Sequence, residues 1–281
     1  MAIRGWWRPG AAVVAVLAAV CASGPERPQA TGTASSPGPL PADRYSSTAQ
    51  DYQRAKRASA LLVRQCMAKR GHPDFPLDPR DPTDPMVAAL VSTDYGVVDL
   101  AAARRWGYGW APEQSPLSQP KGRRMTGAEY ADVPACNAEA DQQLMRGIDV
   151  QRDWIYAGQR AVEADKAVKG DARLGAAFAV WSRCMAERGF TGYPDPIAAY
   201  TDDAWQRGSD GNTLHTRRER DTAAADVTCK RRHHTTEVWH AVRARNQAAD
   251  IAQHRDGYAA ALRALRTYRA NIAAALRRFG Q

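Results

Sequence analysis

Cys66-Met67-Ala68-Lys69-Arg70-Gly71, followed by Phe75-Pro76, returns later in the chain as Cys184-Met185-Ala186-Glu187-Arg188-Gly189, followed by Tyr193-Pro194. Each block closes an apolar run with helical spacing, Leu61, Leu62 and Val63 in the first and Phe178, Val180 and Trp181 in the second. The glycine five residues past each cysteine reads as a helix stop, because glycine enters the left-handed region without a Cβ clash. The prolines beyond it keep the helix from resuming. The repeated unit is therefore a helix that delivers one cysteine near its end and leaves through a rigid turn.

The surroundings of these blocks set the fold class. Hydrophobic residues make up 44% of the 281 and charged residues 25%, enough apolar content for a core. Alanine, arginine and leucine favour helix, and no segment joins β-branched enrichment to sustained alternation. The expected fold is all-α: a duplicated disulfide-linked helical unit with a long C-terminal helix packed against a long central helix.

Residues 1–22 read as a signal segment. Arg4 and Arg8 precede the apolar run of residues 11–20, which is short for a stable membrane anchor. Cleavage after Ala22, lipidation at Cys21 and retention of the segment all stay open. Leu17 lies four residues before Cys21 and Val20 adjoins it, a poor lipobox. Residues 23–48, rich in Pro, Ala, Ser and Thr, read as a flexible tether. Four cysteines remain, Cys66, Cys136, Cys184 and Cys229, an even set suited to an oxidising compartment. Of the three possible pairings, the duplicated order selects Cys66–Cys136 and Cys184–Cys229. Each bridge would add on the order of 4 kcal/mol in the chain-entropy picture.

The repeats divide the rest into residues 49–169 and 170–281, expected to pack as one domain. The first helix starts near Thr48. Asp78, Asp81 and Asp84 each precede a proline. In a polyproline conformation their carboxylates stand ~9 Å apart, too far to share one calcium ion, so a stiff spacer is the better reading. Asp99 and Gly107 bound a short helix, followed by aromatic residues. Trp106, Tyr108, Trp110 and, further on, Trp205 either cover the helices or face a ligand, and covering is the plainer reading. Thr126–Glu129 and Thr216–Glu219 have capping-box spacing. A long helix is expected through Cys136, Leu144, Ile148, Ile155 and Val162. From about Ala223 to Phe279 one long helix, or two nearly collinear ones, carries an apolar stripe of Ile251, Tyr258, Leu262, Leu265, Ile272, Leu276 and Phe279.

Three pieces of this chain together carry a family resemblance. Trp181-x-x-Cys184-Met185 with Gly189 and Tyr193-Pro194 is one. Ala225-Asp226-Val227-x-Cys229-Lys230 is the second, and Tyr95-Gly96-Val97-Val98-Asp99 leading to Arg105-Trp106-Gly107-Tyr108 is the third. In this combination the chain resembles secreted or lipid-anchored helical proteins of high-GC actinobacteria. The resemblance implies an exported helical protein with a paired-cysteine frame. It brings no catalytic or binding residue with it. Val63 departs from the pattern where the second repeat has Trp181.

The residues offer little catalytic chemistry. There is no Gly-rich phosphate loop after a strand, no nucleophile elbow and no Cys-x-x-Cys, and bridged cysteines supply no thiolate. His233-His234-x-x-Glu237-x-x-His240 would place three groups on one helix face. Its outer histidines, however, are ~10 Å apart along the axis, and no second such motif completes a site. No metal and no cofactor is expected. Charge is the remaining signal. Net charge is +9 overall, and from Lys230 onward eleven Lys and Arg face Glu237, Asp250 and Asp256. Arg245, Arg263, Arg266, Arg277 and Arg278 fall opposite or beside the apolar stripe, a surface that attracts polyanions. The expected function is an exported, envelope-associated binding or interaction module that is not an enzyme. Its partners would be an anionic envelope polymer, a membrane surface or another envelope protein, and not nucleic acid. The alternative is an enzyme acting on envelope material near Trp106, Tyr108 and Trp110.

Overall fold

The computed structural model describes residues 37–78, 95–111 and 122–280. The signal segment, Cys21, most of the tether, and Asp81 and Asp84 lie outside the described residues. Among the described residues there are nine α-helices and no strand.

Helix α1 (Ala49–Lys69) starts on a full capping box. Thr48 Oγ1 accepts from the Asp51 amide, and the Asp51 carboxylate accepts from the Thr48 amide. It ends as the sequence implies. Gly71 takes φ +93°, and the His72 amide reaches back to the Met67 carbonyl at 2.9 Å. The second block copies this geometry: α5 (Ala172–Glu187) ends with Gly189 at φ +87°, and the Phe190 amide donates to the Met185 carbonyl at 2.9 Å. Each helix is bridged to a capped partner. Cys66 joins Cys136 on α3 (Gly127–Leu144), and Cys184 joins Cys229 on α7 (Arg217–Arg232), with Cα atoms 5.5 and 5.8 Å apart. The pairing expected from the duplication is the pairing found.

The two bridged pairs share a frame but not a filling. Three residues before the cysteines, the first pair has Val63 and Val133, which join an apolar cluster with Leu62, Leu144, Ile272 and Leu276. The second pair has Trp181 and Asp226 at those positions, and Trp181 Nε1 donates to Asp226 Oδ1 at 3.0 Å. One residue after the second cysteine of each pair, exposed Asn137 corresponds to buried Lys230.

The capping boxes have also diverged. On α3, Glu129 accepts from the Thr126 amide at 2.8 Å and from the Arg123 guanidinium at 2.5 and 2.8 Å. On α7, Thr216 still accepts from the Glu219 amide, but the Glu219 side chain turns into the core instead of reaching back. The Arg123 hydrogen bonds, helped by the Thr126 amide, hold the Glu129 carboxyl down at about 2. A depressed carboxyl contributes stability above its unfolded value near 4.3, and that contribution is lost as pH falls toward about 2. Glu129→Gln should therefore flatten the fall in melting temperature between about pH 5 and 2. A decline as steep as the parent's would show that this pair contributes nothing.

Two long helices expected from periodicity are broken. The central one stops at Leu144, where Gly147 at φ +75° turns the chain. Asp149 then caps a single π-helical turn, Val150–Trp154, ahead of α4 (Tyr156–Val168). The carbonyls freed at this break are taken up by Asn271, whose Nδ2 donates to Leu144 O and Arg146 O at 2.9 Å. The C-terminal stretch is three helices: α7, then α8 (Thr235–Gln253), then α9 (Arg255–Arg278). His234, at φ +52°, separates the first two, and His254 (φ −120°, ψ 40°) the last two. The histidine motif is thus split by a helix break. His240 instead hydrogen-bonds Tyr95 Oη through Nδ1 at 2.9 Å.

The breaks send successive helices to different partners. Helix α8 packs on α4 and α5, whereas α9 returns to α1, α3 and α4. In the opposite direction, α2 (Leu100–Trp106) crosses to α7, with the short α6 (Pro196–Tyr200) beside it. Each sequence half thus completes the packing of the other. Of the apolar stripe, Tyr258, Leu265, Ile272 and Leu276 are buried. Arg269, which interrupts that stripe, bonds the Asp51 carboxylate at the start of α1, at 2.6 Å.

Candidate functional site

The motif pieces noted in the sequence meet at one buried point. Lys230 Nζ donates to Asp226 Oδ2 at 2.8 Å, to Tyr95 O at 2.8 Å and to Val97 O at 3.2 Å. Asp226 takes its other bond from Trp181, so one ion pair ties α5, α7 and the segment before α2 together. Burial raises the Asp226 carboxyl above its usual range, against the opposing pull of the Lys230 ammonium and the Trp181 N–H. Tyr108, almost wholly enclosed beside them, has its phenol pushed well up by burial and then by the Asp226 charge.

Next to this node, Glu219 Oε1 accepts from the Tyr108 amide at 2.8 Å and from Thr213 Oγ1 at 2.5 Å. Gly107 makes that approach possible. It sits at φ +64°, and a Cβ there would lie 2.7 Å from the Glu219 carboxyl carbon. Asn212 fastens the same loop, accepting from the Trp110 amide at 2.9 Å and donating to Trp110 O at 3.1 Å.

The aromatic residues proposed from the sequence as ligand-facing divide accordingly. Tyr108 and Trp205 are 1% exposed with ring centroids 5.6 Å apart, and Trp110 is 8% exposed. Trp106 is half-buried against His215. Tyr108 and Trp205 join the apolar cluster around Trp181 and Val227, with Tyr108 beside Asp226, and Trp110 is held on the Asn212 loop.

The arginines are arranged differently from the single basic helix expected. Arg245 is on α8 and forms an ion pair with Asp171, on the far side of the His254 break from the others. Arg263, Arg266, Arg277 and Arg278 are exposed on α9. They have a neighbour that sequence averaging hid. Helix α1 carries Arg54, Lys56, Arg57, Arg64 and Lys69 against the single acid Asp51, and all five cations are exposed. Asp51 meets Arg269 at one end and Leu61 to Ala68 meet Phe279 at the other, so α1 and α9 run side by side in the same direction. Among the described residues, no carboxylate pairs with Arg54, Lys56, Arg64, Lys69, Arg266, Arg277 or Arg278, whereas Arg263 stands near Asp153. Helix α9 has Arg255 and Asp256 in its first turn and no other acid, so both helices of this face are strongly cationic.

At the end of the face lies an open groove of about 440 Å³ between α1, the turn after Gly71 and the end of α9. Among the described residues, no group of three His, Cys, Asp or Glu could hold a metal ion, and no helix is long and apolar enough to cross a membrane. Comparison with protein families, with characterised proteins and with solved structures finds no match to this chain.

Proposed function

We propose that the protein is an exported, non-enzymatic binding module of the cell envelope that contacts anionic material through the paired face of α1 and α9. The observation that carries this reading is the concentration of exposed Lys and Arg without carboxylate partners on two adjacent helices. Charges placed together on one surface add their potentials, whereas scattered ones are screened within a Debye length of about 8 Å at physiological salt. Both helices spend their apolar sides on the core, which fixes the cations outward. Export is supported by the two buried disulfides and by the basic-then-apolar start of the chain.

The test is a variant with Arg64, Arg263, Arg266, Arg277 and Arg278 changed to Gln, which keeps good helix formers at every position. Binding to dextran sulfate or to phosphatidylglycerol vesicles should fall at least about tenfold, with the melting temperature little changed. If the folded variant binds both as tightly as the parent, the face is merely solvated and the reading fails.

A further inference from the structure

We propose that the groove at the end of the α1–α9 face is a subsite for a linear anionic glycan, a polymer in which charged groups alternate with hydroxyl-bearing units. This rests on the anion-binding reading above and narrows it from a charged surface to a place with its own chemistry. The floor is the partly exposed ring of Phe279, backed from beneath by buried Leu61 and Phe75. Such a floor suits the C–H face of a sugar-like ring and gives nothing to a bare inorganic anion. Arg64 and Gln65 stand on the α1 wall, a fixed cation next to an amide that both donates and accepts. Asp74 stands on the opposite wall. A carboxylate there repels an anion but accepts from hydroxyls, so the groove sorts charge to the α1 side and hydroxyls to the turn.

The walls are held in place before any ligand arrives. The turn follows the Gly71 helix stop, five residues beyond a cysteine bridged to α3, and Arg123 Nη2 donates to Asp74 O at 3.1 Å. Arg278 lies over the Phe279 ring, 5.8 Å from its centroid, bringing a second cation to the α9 end. A bilayer is the poorer occupant. Of the large apolar side chains exposed among the described residues, Tyr52 lies in the first turns of α1 and none lies on α9. The face therefore has little to insert among lipid tails.

The experiment compares single changes of equal charge in the purified protein. Arg64→Gln removes a cation inside the groove, Lys56→Gln one on the same helix outside it, and Phe279→Ala the floor. Binding to dextran sulfate should weaken about tenfold for Arg64→Gln, the scale of a lost charge-assisted hydrogen bond. Phe279→Ala should weaken it several-fold, and Lys56→Gln, which removes only a share of the face's potential, about twofold at physiological salt. The parent should bind linear polyphosphate, which lacks hydroxyl-bearing units, more weakly than dextran sulfate. Equal losses for Arg64→Gln and Lys56→Gln, with none for Phe279→Ala, would overturn the subsite and leave the charged-surface reading standing. Tighter binding to phosphatidylglycerol vesicles than to dextran sulfate would overturn the glycan in favour of a membrane. No binding of the parent to any of the three would remove both proposals.

Discussion

Lys230→Met should destabilise the protein by about 3–5 kcal/mol, the usual cost of removing one partner from a buried ion pair. The side chains of both residues are at most 3% exposed, so water cannot take over the missing partner. The loss also strips the Tyr95 and Val97 carbonyls of their donor, loosening the segment that leads into α2. Adding Asp226→Leu should restore part of the stability, because no uncompensated carboxylate remains inside. Asn137→Ala, at the matching exposed position of the other pair, should stay within about 0.5 kcal/mol of the parent. Urea denaturation followed by tryptophan fluorescence reads all four proteins. A Lys230→Met midpoint equal to that of Asn137→Ala would mean the buried pair does not hold the second unit together.

Removing either disulfide should cost a similar amount, about 4 kcal/mol for loops of 70 and 45 residues in the chain-entropy picture. Because α2 completes the second bridged pair and α9 the first, neither pair can melt without exposing apolar surface of the other. Cys66→Ala/Cys136→Ala and Cys184→Ala/Cys229→Ala should each lower the melting temperature while leaving one calorimetric transition. Two separated transitions in either variant, one of them at the parent temperature, would show independent halves.

How much of this was legible in the chain varies from place to place, for physical reasons. The repeated helix ends were readable because Gly71 and Gly189 act locally, through backbone conformation, and the repeat then chose the cysteine pairing. Caps at Thr48, Asp99 and Thr126 were readable for the same reason. The breaks were not. Gly147 was visible, but Leu144, Ile148 and Ile155 keep helical spacing across it. Nothing nearby announces that Asn271, 127 residues beyond Leu144, will satisfy the open carbonyls. At His234 the chain turns left-handed without glycine or proline to mark it.

The candidate site was half legible. Arg263, Arg266, Arg277 and Arg278 stood out because they lie in a strongly basic C-terminal stretch. The cations of α1 were lost in a near-neutral average over the preceding residues, and only tertiary packing puts them beside α9. Asp226 and Lys230, four apart on a helix, look like an ordinary surface pair. What buries them is a segment more than 130 residues away in the chain.

The most direct test of the anion-binding account is the dissociation constant of the unmodified protein for dextran sulfate, measured by calorimetry as salt is raised. Screening shortens the Debye length from roughly 14 Å at about 50 mM salt to roughly 4 Å at about 500 mM. Cooperative attraction from the α1 and α9 cations should then weaken by well over tenfold. A dissociation constant unchanged across that range, or no measurable binding at the low-salt end, would contradict it.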